Sequence, residues 1–245
     1  MAEALSEGGL ITVSTGAGMS RESGIPTFRG AEGVWRTFRA EDVATPQALY
    51  GDPALAWQFH DHLRQLVTAA KPHAGHCALA QLAGSLSPSV RLRIVTQNVD
   101  RLHEDAGSRD VIHLHGDIRR VVCTACDFQD DAYPVPAPAC PPICTCGGLL
   151  RPDVVLFGEP LPSEAIAEAW RLAQECSAMI VVGTSANVQP AASLPFVALE
   201  SGATVVEVNP GETPLSPYAH YTLRGGAATV LPSLLEALCH ALSAH

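Results

Sequence analysis

Two polar side chains, Asn98 and Asp100, directly follow an apolar run at residues 92–96. If that run is a strand, both lie at its carboxyl end, where open α/β sheets bind their ligands. An amide and a carboxylate at that position could orient a small polar ligand. The alternative is a turn or a helix cap, which Asn and Asp often form.

His115 is the candidate general base. It alternates with His113 in the apolar segment 111–115, so a strand there places both imidazoles on one face. An imidazole with the ordinary pKa of about 6.5 can accept a proton near neutral pH. Strand histidines are more often packed in a core, but His115 ends the predicted strand, and Gly116 would leave room beside it for a ligand. The pattern favours a catalytic role.

Five cysteines lie between Cys123 and Cys146. Cys123 and Cys126 have the C-x2-C spacing of a zinc knuckle, and Cys140, Cys144 and Cys146 follow at a separation typical of a second ligand pair. We predict one zinc ion held by Cys123, Cys126, Cys144 and Cys146, with Cys140 as the rival third ligand. Four thiolates fill a tetrahedral ion and leave no position for water, so the predicted role of the zinc is structural.

A glycine-containing turn, Gly16-Ala17-Gly18, follows the apolar run at residues 10–14. A strand that leads into such a turn and a helix N-terminus directs backbone N–H groups at a phosphate. The pattern is an incomplete dinucleotide fingerprint, because Arg21 stands where a third glycine is expected. A turn without a ligand is the alternative.

Short apolar runs alternate with helical patterns along the chain, which predicts an α/β fold with a doubly wound, Rossmann-like parallel sheet. The predicted strands are 10–15, 92–96, 111–115, 154–157, 179–183, 204–208 and 221–224, and the predicted helices are 54–70, 76–82, 163–176, 191–200 and 232–242. We expect one domain over residues 1–245. Its larger part spans about 8–30, 84–118 and 152–245, and a smaller inserted helical and zinc-binding module spans about 31–83 and 119–151.

Composition narrows the functional classes. The chain has 245 residues, 47% of them hydrophobic, and a formal net charge of −10. A nucleic-acid-binding surface would be basic, so we expect none, whereas lysine-rich protein segments suit an acidic partner. No apolar run is long enough to span a membrane, and residues 1–9 lack the features of a signal peptide. Clustered cysteines favour metal binding in a reducing compartment, so we expect a cytoplasmic location.

Taken together, these segments resemble the sirtuins, the NAD-dependent protein-lysine deacylases. The resemblance extends over nearly the whole chain. It is carried, in order, by Gly16-Ala17-Gly18, Thr96-Gln97-Asn98-Val99-Asp100, His115-Gly116, the paired cysteines, Arg151-Pro152-Asp153-Val154-Val155-Leu156-Phe157-Gly158-Glu159 and Gly183-Thr184-Ser185.

The resemblance implies a reaction and a role for each site residue. In sirtuins the acyl-lysine carbonyl oxygen attacks the nicotinamide ribose, and the products are nicotinamide, O-acyl-ADP-ribose and free lysine. His115 would act as general base on a ribose hydroxyl, with Asn98 and Asp100 around the nicotinamide pocket. The residues implied in NAD binding are Gly16, Ala17, Gly18, Thr27, Phe28, Arg29, Trp35, Gln97, Asn98, Asp100, Gly183, Thr184, Ser185, Asn209 and Ala227. Those implied in binding the acylated lysine and its backbone are His60, Leu63, Val155, Phe157, Gly158 and Glu159.

The acyl pocket departs from the sirtuin branch that the segment at residues 30–46 resembles, which removes succinyl and malonyl groups. That branch binds the acyl carboxylate with a Tyr-x-x-Arg pair, whereas His60 and Leu63 stand at those positions here. Leucine cannot replace the two charge-assisted bonds of an arginine. We therefore predict a preference for acetyl or longer uncharged acyl groups. A protonated His60 would restore some acid preference at low pH, unless His60 is simply a surface histidine.

Two rival functions remain open at this point. ADP-ribosyl transfer or NAD hydrolysis would use the same cofactor site, and a non-catalytic NAD-sensing module would need no base at position 115. The sequence favours deacylation, because Asn98, Asp100 and His115 are all present. We expect a monomer whose partners are acylated-lysine proteins or peptides.

Overall fold

A computed structural model describes residues 9–28 and 33–243, and a parallel sheet of six strands lies at its centre. The strands are β1 (Gly9–Thr15), β2 (Val90–Thr96), β3 (Val111–His113), β4 (Gly116–Cys123), β5 (Gln129–Asp130), β6 (Leu150–Val154), β7 (Ala178–Val182), β8 (Thr204–Val208) and β9 (Tyr221–Leu223). The helices are α1 (Ala17–Ser20), α2 (Ala40–Val43), α3 (Pro46–Gly51), α4 (Pro53–Ala69), α5 (Ala74–Ser85), α6 (Leu102–Asp105), α7 (Ser163–Glu175), α8 (Leu194–Glu200) and α9 (Ala227–Ser243).

The main sheet has the order β3-β2-β1-β7-β8-β9, and every neighbouring pair is parallel. The central strands β1 and β7 are almost entirely buried and largely apolar because both faces of the sheet are covered there. In β1, Leu10 packs in the core with α7 and α8, whereas Ile11 and Val13 pack on the opposite face with α5 and α9. The predicted doubly wound α/β fold is confirmed.

One predicted strand was placed wrongly. Residues 154–157 were expected in the parallel sheet, but the strand there is β6, which ends at Val154 and pairs antiparallel with β4 in a separate three-stranded sheet. β4 was not predicted at all. Strand β3 also ends at His113, two residues earlier than expected, because Gly116 turns the chain with a φ of +82° and starts β4.

Helix α4 confirms the prediction for residues 54–70 to within one residue at each end. Asp52 caps it by accepting a hydrogen bond from Leu55 N at 3.0 Å, and Pro53 occupies the first helical position, where its missing N–H costs nothing. The buried face of α4 includes Phe59 and Leu63, which pack against β4 and β6. This helix therefore joins the second sheet to the cavity described below.

Two other helices differ from their predictions at the start. The region 191–200 is a 3₁₀ turn, Ala191–Ser193, followed by α8. α9 begins at Ala227 rather than at Pro232, because Glu22 from a distant segment accepts a hydrogen bond from Ala228 N at 2.8 Å and caps the helix. A cap supplied so far along the chain leaves no local sequence signal.

The division into two parts stays a prediction. Helix α5, which was assigned to the smaller part, packs with β1, β2 and α9 on the main sheet through Leu79 and Leu82. Within residues 9–28 and 33–243, no helix has the length and apolar character that crossing a bilayer requires.

Candidate active site

A cavity of about 750 Å³ opens beyond the carboxyl ends of the main-sheet strands. The chain leaves β1 towards β2 on one side and returns to β7 on the other side, so this is the point where the strand order reverses. Doubly wound folds bind their ligands at such a point. The cavity continues to α4 and to the segment after β6.

Two glycine turns form one end of the cavity and pack directly against each other. Gly18 N donates to Gly183 O at 2.8 Å, and a Cβ atom on Gly18 would lie 2.7 Å from Gly183 Cα. Gly183 has a φ of +61°, and a Cβ there would lie 2.4 Å from Met19 N. Only glycine fits at either position, and the resulting bare backbone of Gly16, Gly18, Gly183 and Thr184 lines the cavity.

Ser20 links the two polar side chains that follow β2. Its hydroxyl donates to Asp100 Oδ2 at 2.8 Å and accepts from Asn98 Nδ2 at 3.0 Å. Asp100 is 4% exposed and lies behind the cavity wall, and burial raises the pKa of its carboxyl even though Leu102 N and Ser20 donate to it. Asn98 itself lines the cavity. Ser20 was missed from the sequence, because a serine after a glycine turn has many ordinary roles.

His115 lines the same cavity at its middle. Its Nδ1 atom lies 2.8 Å from Gln97 O, and because a carbonyl only accepts, Nδ1 carries the proton. The Nε2 atom therefore holds a lone pair. Burial lowers the pKa of His115 below its ordinary value of 6.5, against the effect of the Gln97 bond, so the ring is neutral at neutral pH. This is the state that a general base requires.

His113 has a different role from His115, although only the fully buried Leu114 separates them in the sequence. The ring of His113 bridges Asn98 O, at 3.1 Å, and Glu104 Oε1, at 2.6 Å. Burial alone would lower the pKa of His113, but the Glu104 carboxylate raises it. His113 thus braces the backbone of Asn98 against Glu104.

Gly116 serves a purpose other than the expected one. A Cβ at position 116 would lie 2.1 Å from Asp153 O, so the missing side chain makes room for β6 and not for a ligand. The close approach lets Val155 N donate to His115 O at 2.9 Å. The segment after β6 is thereby fixed beside the imidazole.

His60 and Leu63 lie at the other end of the cavity, on the buried face of α4. His60 is 5% exposed, so the surface-histidine alternative is wrong. Its Nδ1 atom lies 2.8 Å from Ala56 O, and burial lowers its pKa to about 4. The next basic residue, Arg64, is fully buried and binds Asp61 and the carbonyls of Tyr133 and Pro134.

The predicted substrate segment borders this end of the cavity. Val155, Phe157, Gly158 and Glu159 all line it, and Phe157 is 44% exposed. Phe157 N donates to Ala44 O at 2.9 Å, which ties the segment to the helical region. The Glu159 carboxylate is occupied by both terminal nitrogens of Arg151, at 2.6 and 2.9 Å.

Other residues implied in cofactor binding fall into three groups. Ala17, Thr27, Phe28, Gln97, Ser185 and Asn209 line the cavity. Ala227 is buried next to Gly226, which lines the cavity in its place. Arg29 lies outside the described residues, and only the backbone of Trp35 is described, in the 3₁₀ turn Val34–Arg36. Glu22 also lines the cavity and was missed, since only the distant cap it supplies to α9 distinguishes it.

Four cysteines form a separate cluster beside the second sheet. The sulfur atoms of Cys123, Cys126, Cys144 and Cys146 all lie within 4.8 Å of one another, with Cys123–Cys146 at 3.5 Å and Cys126–Cys144 at 3.8 Å. Sulfur atoms about 2.3 Å from a tetrahedral zinc ion are roughly 3.8 Å apart, so the cluster fits one ion. Cys140 lies apart from the cluster, since its thiol donates to Ala54 O at 3.3 Å.

The fold and these two sites define a nucleotide-binding α/β protein with an inserted four-cysteine module. The chain belongs to the Sir2 family, whose pattern matches residues 16–190. A relative from Caldanaerobacter subterraneus subsp. tengcongensis, named NAD-dependent protein deacylase 1, is 51% identical over 92% of each chain. Among solved structures, a Sir2 homologue variant bound to ADP ribose is 44% identical, with a TM-score of 0.91, covering 100% of this chain and 97% of that one. A Sir2–p53 peptide–NAD⁺ complex is 34% identical, with a TM-score of 0.82, covering 96% and 95%.

Proposed function

We propose that this chain removes acyl groups from lysine side chains of proteins in an NAD-dependent reaction. The observation that carries the proposal is the continuity of one cavity. Bare glycine backbone lies at one end, the His115 imidazole in the middle and an apolar pocket at α4 at the other end. A nucleotide and an acylated lysine entering from opposite ends would meet at His115.

The chain's own residues supply positioning and one base. NAD, when bound, supplies an electrophilic ribose carbon and a nicotinamide leaving group. Asn98 is held by Ser20 through its side chain and by His113 through its backbone, and it would orient the ribose of a bound NAD. The Nε2 atom of His115 would accept the proton of a ribose hydroxyl, and the Nδ1–H bond to Gln97 O holds the ring in the orientation and tautomer for that role. Phe28 borders the same space and supports a shielding role against water.

The acyl pocket supports uncharged acyl groups, with acetyl as the expected substrate. Its wall includes Phe59, Leu63, Ile118 and Leu156, which are at most 6% exposed. A succinyl carboxylate would lose its hydration among these side chains, and the nearby Arg151 is already paired with Glu159. With the pKa of His60 at about 4, protonation restores an acid preference only well below neutral pH.

The test is nicotinamide release from NAD with acetyl-, butyryl- and succinyl-lysine peptides of one sequence. We expect acetyl and butyryl peptides to react and the succinyl peptide to lag at least tenfold in kcat/KM. His115→Ala should lose about 10²- to 10⁴-fold in deacylation while still binding ADP-ribose. A faster reaction with succinyl-lysine would overturn the acyl preference, and an active His115→Ala variant would overturn the base.

Neither rival function has support from the relatives, which carry the deacylase name. Acyl-ADP-ribose rather than free ADP-ribose among the products would distinguish deacylation from NAD hydrolysis. None of the eight cysteines forms a disulfide. This state is consistent with the cytoplasmic location that we infer. The acidic charge of −10 supports lysine-rich protein partners over nucleic acid, and a monomer is our working hypothesis.

A further inference from the structure

The acyl end of the cavity contains one polar atom that no part of the proposed reaction uses. It is Nε2 of His60. The proton of this ring is on Nδ1, which is bonded to Ala56 O one helical turn earlier, so Nε2 carries a lone pair. Among the described residues, no donor bonds to this atom, and the ring as a whole is 95% buried in the cavity wall (5% exposed).

The surroundings of His60 are otherwise apolar. Phe59 lies edge-on to the imidazole with ring centroids 5.1 Å apart, and Leu63 follows one turn later. From the facing sheet, Ile118 and Val154 complete the wall. An acyl chain in this space therefore meets hydrocarbon on most sides and a single hydrogen-bond acceptor.

The charges near His60 disfavour its conversion to a donor. Arg151 is the charged group that acts on the imidazole, and its positive charge opposes protonation. Arg151 is itself held by Glu159 and by Val154 O, so it is not free to bind an acyl group. Arg64 points away to Asp61. Beside His60 the described residues thus offer an acceptor, and the two arginines near it, Arg64 and Arg151, are both paired with carboxylates.

We propose that His60 Nε2 selects lysine acyl groups that carry a hydroxyl, such as hydroxybutyryl, over the corresponding unsubstituted acyl groups. The inference rests on the proposed function and specifies its substrate class. An unsubstituted acyl chain would cut this cavity-lining acceptor off from water without giving it a donor, which is costly, whereas a substrate hydroxyl would donate to it.

The experiment compares butyryl-lysine with 2- and 3-hydroxybutyryl-lysine in one peptide, at pH 7.5 with saturating NAD. Both kcat/KM and the affinity of each peptide in the presence of ADP-ribose are measured. We expect the better hydroxybutyryl isomer to exceed butyryl about five- to tenfold, the effect of one hydrogen bond. In His60→Phe, which keeps a ring but lacks an acceptor, the ratio should fall to one or below.

Controls separate the possible causes. Gln58→Phe places the same residue on the exposed face of α4 and should keep the wild-type ratio. His60→Gln restores an acceptor oxygen and should recover part of the preference, which also covers a His60→Phe variant that folds poorly. A hydroxyl preference in binding without turnover of any acyl peptide would refute the deacylase function alone. Equal affinity of wild type for butyryl and both hydroxybutyryl peptides would overturn the proposal.

Discussion

At the scale of single residues, the active site depends on which nitrogen of each histidine holds the proton. In His115 and in His60, Nδ1–H donates a hydrogen bond to a backbone carbonyl, so Nε2 is the acceptor. In His113, a carboxylate at one nitrogen and a carbonyl at the other favour the charged ring. The three histidines thus differ in their hydrogen-bond partners and in their tendency to be protonated, and the sequence alone cannot distinguish them.

The first residue-scale prediction concerns pH. Because burial lowers the pKa of His115 below 6.5, its base form is complete at neutral pH and is lost as pH falls through that lowered pKa. We expect kcat/KM for deacylation to be flat above about pH 6.5 and to decline below it. Rates between pH 5 and 8 test this. The pKa of Asp100 is raised, so Asp100 is a second group whose protonation affects the site. ADP-ribose affinity measured over the same pH range separates its effect on cofactor binding from that of His115. An inflection above pH 7 would contradict the lowered pKa of His115.

The second concerns Ser20. Removing its hydroxyl leaves Asp100 Oδ2 without the donor and Asn98 Nδ2 without the acceptor that Ser20 supplies, so Ser20→Ala should destabilise the protein by about 1–3 kcal/mol and weaken NAD binding. Urea unfolding and ADP-ribose titration measure the two effects. The matched control is Ser23→Ala, because the Ser23 hydroxyl is buried and has no hydrogen-bond partner among residues 9–28 and 33–243. Equal losses in both variants would show that the network does not matter.

At the scale of elements, the contact between β4 and β6 positions the predicted substrate segment, residues 155–159, beside His115. Gly116→Ala should destabilise the protein by several kcal/mol, roughly 3 or more, because a methyl group would meet Asp153 O at 2.1 Å in a backbone conformation that already disfavours it. Gly202→Ala is the control, since Gly202 has a φ of +87° with nothing within 4 Å. Thermal unfolding compares them. A Gly116→Ala protein as stable as Gly202→Ala would disprove the close approach.

The attachment of α4 to the cysteine module is a second element-scale feature. Arg64 stacks between Trp57 and Tyr133, with its guanidinium 5.9 and 5.6 Å from the ring centroids, and pairs with Asp61. Arg64→Ala removes the cation that pairs with that carboxylate and the donor to the Tyr133 and Pro134 carbonyls, and should cost about 3–5 kcal/mol in urea unfolding. Arg171→Ala, which breaks exposed pairs with Glu168 and Glu175, should cost at most about 1 kcal/mol. Similar costs would contradict the bracing role.

Sequence reasoning predicted the elements whose signal is local and failed where the cause is distant. α4 was predicted almost completely because Asp52 and Pro53 mark its start. The start of α9 was missed because its cap, Glu22, is 206 residues away in the sequence from the N–H group that it binds. The placement of 154–157 was wrong because nothing in that segment reveals the antiparallel pairing with β4. The candidate site residues were predicted mainly through family resemblance, whereas the hydrogen bonds of Ser20 and the burial and tautomer of His60 are evident only in the folded protein.

At the scale of the whole molecule, the four-cysteine cluster should set the metal content. We expect one zinc ion per chain, and chelation should unfold the segment between β4 and β6 and abolish activity. Metal analysis of Cys144→Ser should show loss of zinc, whereas Cys140→Ser should retain it, since Cys140 bonds Ala54 O instead. Zinc loss from the Cys140→Ser protein would reinstate Cys140 as a ligand.

The paired turns at Gly18 and Gly183 have a consequence for how the protein is made. The first turn emerges early in synthesis, but the backbone that supports it belongs to the end of β7 and emerges much later. A nascent chain that stops short of β7 therefore contains the Gly18 turn but lacks the Gly183 turn that packs against it and completes this end of the cavity. Ligand recognition begins only once most of the polypeptide has left the ribosome, so the nucleotide cannot assist the earliest folding steps.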